Sequence, residues 1–165
     1  ALSIPYEEYD DWYTRLDERF DLVEQQFGDA KSLYFYDTEG NCVELGQSDV
    51  AGPGVAGLFE VVLEVESLDR ALSFYESLGF ETVDRGGDRP RVRLSCGAFD
   101  LELWEPQLGI SDARGGVHVD LGVGADDPTA RTDKAREQAR DVEEYEGGIR
   151  LQDPDGHYLT VVETS

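Results

Sequence analysis

Glu44, Glu102 and Thr160 stand 58 residues apart, each between apolar neighbours: Val43 and Leu45, Leu101 and Leu103, Leu159 and Val161. Glu60 and His118 repeat the 58-residue spacing, the first followed by Val61, Leu63 and Val65, the second by Val119, Leu121 and Val123. One imidazole and two carboxylates make a donor set for a divalent metal such as Fe, Mn, Ni, Co or Zn. Thr160 is a poor ligand, so a fourth position would stay open to water or substrate. The plainer reading is that the polar faces of strands in an acidic protein carry carboxylates by chance.

Strand geometry decides where these groups point. Side chains alternate across a strand, so Phe59, Val61, Leu63 and Val65 form an apolar face, with Glu60, Val62 and Glu64 opposite. The same phase sets His118 and Asp120 against Val117, Val119 and Leu121. It sets Asp100, Glu102 and Trp104 against Phe99, Leu101 and Leu103, and Tyr158, Thr160 and Val162 against Leu159 and Val161. Glu60, Glu102, His118 and Thr160 therefore occupy equivalent faces, which a curved sheet would bring together. Trp104 and Tyr158 share that phase, either as an aromatic wall for a ligand or as core packing. Arg91 and Arg93 alternate with Val92 and Leu94, which suits a site for a substrate anion or a solvated strand edge.

The elements that must carry these strands repeat as well. Residues 58–65 read as a strand. Ser67 caps a helix over 68–78 that places Leu68, Ala71, Leu72, Tyr75 and Leu78 on one face, and Gly79 ends it. Strands near 80–84, 91–96 and 99–105 complete the unit. The last third repeats the order, with a strand over 116–123 and a polar helix over 128–140, capped by Asp127 with Pro128 in its first turn. Strands near 149–152 and 158–163 flank the turn Asp153-Pro154-Asp155-Gly156. The first third reads as the same unit with its opening cut short. It has a strand end at 2–4, a helix from Pro5 to about Phe20 with a stripe of Tyr6, Tyr9, Tyr13 and Leu16, and strands at 32–36 and 42–46. The turn Asp37-Thr38-Glu39-Gly40-Asn41 between them matches the one at 153–157. Three glycines and one proline mark 48–57 as a linker.

Acidic residues number 37 against 14 lysines and arginines, a net charge of −23 in 165 residues. Such a surface repels phosphate backbones and anionic membranes, which argues against nucleic-acid and membrane partners. It is also the bias of a halophilic protein in a salt-rich cytoplasm. No apolar run of about 18 residues is present, and no signal-peptide pattern. Cys42 and Cys96 fit neither a CxxC motif nor a disulfide framework, so packed or half-buried thiols in a reducing cytoplasm are expected. The chain contains no Met, so further residues upstream of Ala1 are expected.

The run from Phe59 through Glu60, Val65, Ser67, Asp69, Arg70 and Phe74-Tyr75 to Leu78-Gly79-Phe80 resembles the opening of a vicinal oxygen chelate module. The runs 153–162 and 37–45 resemble its closing hairpin. This superfamily includes glyoxalase I, bleomycin-resistance proteins, fosfomycin-resistance enzymes and type I extradiol dioxygenases. The resemblance implies an α+β fold of repeated βαβββ modules, two of them paired into a U-shaped mixed sheet with helices outside. It places a complete two-module domain at 58–165, a linker at 48–57, and at 1–47 an incomplete module belonging to a preceding domain. It implies a metal on Glu60, Glu102 and His118, with Glu60 or Glu102 moving a proton, and Arg93, Trp104, Tyr158 and Thr160 around a small substrate with adjacent oxygens. Glu60 stands where the family often has His or Gln, and Thr160 where it usually has Glu. Glyoxalase-type isomerisation, ring cleavage by a dioxygenase, and metal-free sequestration of a small molecule all stay open. A homodimer is expected as the default symmetric assembly.

Overall fold

The structure is a computed structural model that describes residues 1–86, 90–95, 97, 99–105 and 120–164. The chain divides into two compact units, Ala1–Val61 and Val62–Ser165. The fold is α+β, built from three copies of a βαβββ module. No helix among the described residues is long and apolar enough to cross a membrane.

The first unit contains β1 (Leu2–Pro5), a 3-10 turn (Tyr6–Glu8), α1 (Tyr9–Asp17), β2 (Val23–Phe27), β3 (Ala30–Tyr36), β4 (Cys42–Ser48) and the short β5 (Gly57–Leu58). Its sheet runs β2-β3-β4-β1-β5. β1 lies parallel to β4 with Leu2 beside Leu45, and the other neighbours are antiparallel. Ile4, Tyr9, Leu33 and Leu45 form the buried core, with Trp12, Leu16 and Phe35 packed on it. The helix is shorter than its tyrosines suggest. Pro5 ends the strand, Tyr6 and Tyr13 are exposed, and the inward stripe is Tyr9, Trp12 and Leu16 at helical spacing. Cys42 is exposed at the start of β4 rather than packed, and Cys96 lies outside the described residues.

The second unit repeats the order twice. Its first module has β6 (Glu60–Glu64), whose first two residues belong to the first unit, α2 (Leu68–Ser77), β7 (Glu81–Arg85), β8 (Arg91–Ser95) and β9 (Asp100–Trp104). The other has β10 (Asp120–Ala125), α3 (Pro128–Arg136), β11 (Asp141–Tyr145), β12 (Gly148–Gln152) and β13 (Tyr158–Glu163). The sheets run β7-β8-β9-β6 and β11-β12-β13-β10, the same order as in the first unit. The strand expected at 58–65 is two strands: Leu58 pairs with Leu2, and the chain enters the next sheet at Glu60. The Phe59 ring at the break lies over Gly46, where a Cβ would come within 3.2 Å of it.

Both helices of this unit start as their caps dictate. The Ser67 hydroxyl accepts from Arg70 N at 3.4 Å, and the Asp127 carboxylate accepts from Ala130 N at 3.0 Å. Gly79, at φ 83°, ends α2 in a conformation that other residues rarely adopt. Three outer strands lack the apolar alternation of the inner ones. β2 is exposed throughout and β7 and β11 nearly so, because each has a single neighbour. Their glutamates suit an edge that must not pair with another chain.

The two modules of the second unit meet at the turn 153–157, which is buried against α2. Asp153 Oδ1 accepts from the Asp155 and His157 amides, both at 2.8 Å, and Oδ2 accepts from Tyr75 Oη at 2.8 Å. Arg70 donates to Asp155 Oδ1 at 2.9 Å, and His157 Nε2 lies 3.1 Å from Glu64 O. Burial, then the charge and hydrogen bond of Asp153, hold the Tyr75 phenol well above its ordinary value of 10.0. The folded chain thus keeps Tyr75 protonated where the unfolded chain ionises it. The associated stability is complete below about pH 10 and is lost as pH rises beyond it, by about 1.4 kcal/mol per unit. Denaturation midpoints measured from pH 8 to pH 11 should stay flat and then fall. Tyr75→Phe should flatten part of that fall.

Candidate functional site

On the sheet β7-β8-β9-β6, the apolar side is formed by Val92, Leu94, Leu101 and Leu103, all buried. The other side carries Arg91, Arg93, Asp100, Glu102 and Trp104, each only partly buried. Register sets Arg93 beside Glu102 and Arg91 beside Trp104. Arg91 Nη1 donates to Glu102 Oε2, and the Glu102 side chain is 13% exposed. Arg93 Nε stands 3.5 Å from Asp100 Oδ2, an ion pair between two largely exposed side chains that contributes little. β8 is an inner strand, so these arginines do not lie on a sheet edge. They form a band of charge across the middle of the polar face, with Trp104 at its end.

On the sheet β11-β12-β13-β10, Leu159 and Val161 are buried, while Tyr158 and Thr160 face the other way. Thr160 Oγ1 donates to Asp120 Oδ1 and Arg150 Nη2 to Asp120 Oδ2, both at 2.9 Å. The Arg150 guanidinium lies over the Tyr158 ring, 4.1 Å from its centre, a cation–π contact. The Thr160 hydroxyl is therefore engaged within its own sheet. Arg150 was not singled out from the sequence, although it alternates with Ile149 and Leu151, and that phase puts it beside Thr160.

Glu60, in the first unit, shares its surroundings with Glu44 and Tyr34. Tyr34 pairs with Glu44 across β3 and β4. Its phenol is held far above the ordinary value, first by burial, then by the charge and hydrogen bond of Glu44, then by the charge of Glu60. Sequence reasoning singled out Glu44 but not Tyr34, whose place on the strand opposite gave the signal.

His118 lies outside the described residues. Among the described residues no group of three or more His, Cys, Asp or Glu side chains is arranged to hold a metal ion. Arg93 and Trp104 share a sheet face with Glu102, Tyr158 and Thr160 one with Asp120 and Arg150, and Glu60 acts with Glu44 on Tyr34.

No protein-family model and no curated protein matches this chain. Solved structures do. Maize glyoxalase I is similar over 98% of this chain and 66% of its own length, at 17% identity and TM-score 0.74. A Bacillus subtilis protein provisionally assigned as a dioxygenase is similar over 98% of this chain and 60% of its own, at 18% identity and TM-score 0.69. A glyoxalase/bleomycin resistance protein from Albidiferax ferrireducens is similar over 66% of this chain and 98% of its own, at 18% identity and TM-score 0.51. This chain thus spans less than two thirds of the length of the maize and Bacillus proteins. At these identities the likeness concerns the fold.

Proposed function

We propose, for a chain that has the vicinal oxygen chelate fold, that it is a glyoxalase-, bleomycin-resistance- or dioxygenase-like protein that binds a small planar molecule with adjacent oxygens. The supporting observation is the band of Arg91, Arg93 and Glu102 beside Trp104 on the polar face of the second sheet. Two guanidinium groups can each donate to one of two neighbouring oxygens. An indole next to them can cover the apolar face of the same molecule. Glu102, held by Arg91, keeps the guanidinium in place before the ligand arrives.

A metal-dependent enzyme is the second reading, with Glu60, Glu102 and His118 holding the ion and Arg93, Trp104, Tyr158 and Thr160 around the substrate. The arrangement of Glu102 favours it, since ligating carboxylates are commonly fixed through hydrogen bonds such as the one from Arg91. A bound divalent metal would polarise the substrate's oxygens as a Lewis acid. The chain's own contribution would be proton movement by Glu60 or Glu102. A homodimer in the cytoplasm belongs to both readings.

One set of measurements separates them. Catechol and hydroxyacetone are titrated against the protein in molar salt, with Trp fluorescence as the signal and elemental analysis of chelator-free material alongside. Binding in the micromolar range that weakens at least tenfold (about 1.4 kcal/mol) in Arg93→Ala is the expected result. A stoichiometric metal that disappears in both Glu102→Ala and His118→Ala would move the assignment to the enzyme. Absence of both metal and binding would reject both readings.

A further inference from the structure

Residues 49–56 run from β4 to β5 and are tied down along the way. Residues 51–53 and 55–58 are exposed, and Gly54 between them is drawn inward. A carboxylate draws it. Glu8 Oε2 accepts from Gly54 N at 2.8 Å and from Trp12 Nε1 at 3.2 Å. Glu8 ends the 3-10 turn and Trp12 follows four residues later, about one helical turn on, where its indole can hold the carboxylate in place. Gly52 and Gly54 take φ of 97° and 83°, a backbone that lets the chain bend in toward Glu8.

The two ends of the segment are held separately. Before it, Gln47 Nε2 donates to Tyr6 O at 3.1 Å. At its far end, Ala56 N donates to Ser3 O at 2.9 Å, and β5 then pairs with β1, Gly57 beside Ser3 and Leu58 beside Leu2. β5 is the outermost strand of this sheet, two residues long and exposed. So short a strand holds its place weakly by itself. Among the described residues, Glu8 is the one hydrogen-bonding partner distant in sequence that residues 49–55 have.

We infer that Glu8 latches residues 49–56 as a strap, and that this latch decides whether β5 stays on the β1 edge of the first sheet. With the latch made, the strap delivers Gly57 and Leu58 to β1 and the edge is closed. With the latch broken, the segment swings from its ends, β5 leaves, and β1 is left with open backbone groups that can pair with another extended segment. Glu8 is a positioning residue in this device, since it acts on β5 through Gly54.

The test is hydrogen exchange of single amides by NMR, on the whole chain at one fixed salt concentration. The reporter is the Ala56 amide, which bonds to Ser3 O and not to Glu8. Glu8→Ala should speed exchange of the Gly54 and Ala56 amides at least tenfold and leave the amides of the inner strands β3 and β4 unchanged. Glu8→Gln, whose side-chain oxygen can accept from the same two donors, should keep most of the protection. Gly54→Ala attacks the latch from the strap and leaves α1 untouched. The space around Gly54 is open, but alanine is strained at its φ, so Ala56 should lose protection as it does in Glu8→Ala. Unchanged Ala56 exchange in either alanine variant would overturn the inference. So would a rise in Glu8→Ala spread equally over Ala56, β3 and β4, which would make Glu8 a support of the whole unit. The measurement needs no ligand, so this proposal and the one for the arginine band stand or fall separately.

Discussion

Asp153→Ala should lower the unfolding free energy by about 3–5 kcal/mol, a large part of the 5–15 kcal/mol typical of a folded domain. Asp153 is 0% exposed and Tyr75 1% exposed. Alanine would leave three donors without an acceptor in the interior: the amides of Asp155 and His157 and the Tyr75 hydroxyl. Each such orphan costs about 1–3 kcal/mol, and partial relaxation of the turn keeps the total below the sum. The Arg70–Asp155 pair, exposed on the arginine side but buried on the aspartate side, would also weaken as the turn loosens. Asp37→Ala is the internal control. It removes the equivalent two amide contacts, from Glu39 and Asn41, in an exposed turn, where water replaces the carboxylate, so the loss should stay within about 1 kcal/mol. Urea denaturation of both variants at one fixed salt concentration checks the contrast. Equal losses would mean that burial does not set the scale.

Salt should stabilise this chain by a similar amount. With a net charge of −23, its carboxylates repel one another over the whole surface. The screening length falls from about 10 Å at 0.1 M to about 3 Å at 1 M, which removes most repulsion between exposed charges. Salt also weakens favourable pairs such as Lys31–Glu24 and Arg93–Asp100, but their members are largely exposed and contribute little. Repulsion therefore dominates. The melting temperature should rise by about 10 °C or more between 0.1 and 2 M KCl, about 3 kcal/mol for a chain of this size. An uncharged osmolyte at equal osmolality should give a smaller rise. A flat or falling melting temperature in KCl would show that the acidic surface is already relieved by its own ion pairs.

Much of the fold was legible because its signals are local. The Ser67 and Asp127 caps, the glycine after α2 and the Asp-x-x-Gly turns each act within a few residues of themselves. The alternation through Leu101 and Leu103, and through Leu159 and Val161, separates buried from polar faces as the period of a strand requires. β2 and β11, outer strands with one neighbour and little apolar alternation, were not read from the sequence, whereas β7, equally exposed, was. The inward stripe of α1 was misread because Tyr6 and Tyr13 are exposed, while Trp12 packs on the core.

The candidate site divides along the same line. The sequence by itself determined which face each side chain takes, and hence that Glu102, Arg93 and Trp104 share one surface and Tyr158 and Thr160 another. Only the tertiary structure decided who satisfies whom: Arg91 on Glu102, Asp120 on Thr160, Arg150 on Tyr158, and α2 on the turn at 153–157. A strand's period is a property of its own backbone, whereas these pairings join residues brought together by neighbouring strands and packed modules. For the same reason two turns of nearly identical local geometry, at 37–41 and 153–157, differ in burial: what lies against each is set by the surrounding modules and not by the turn.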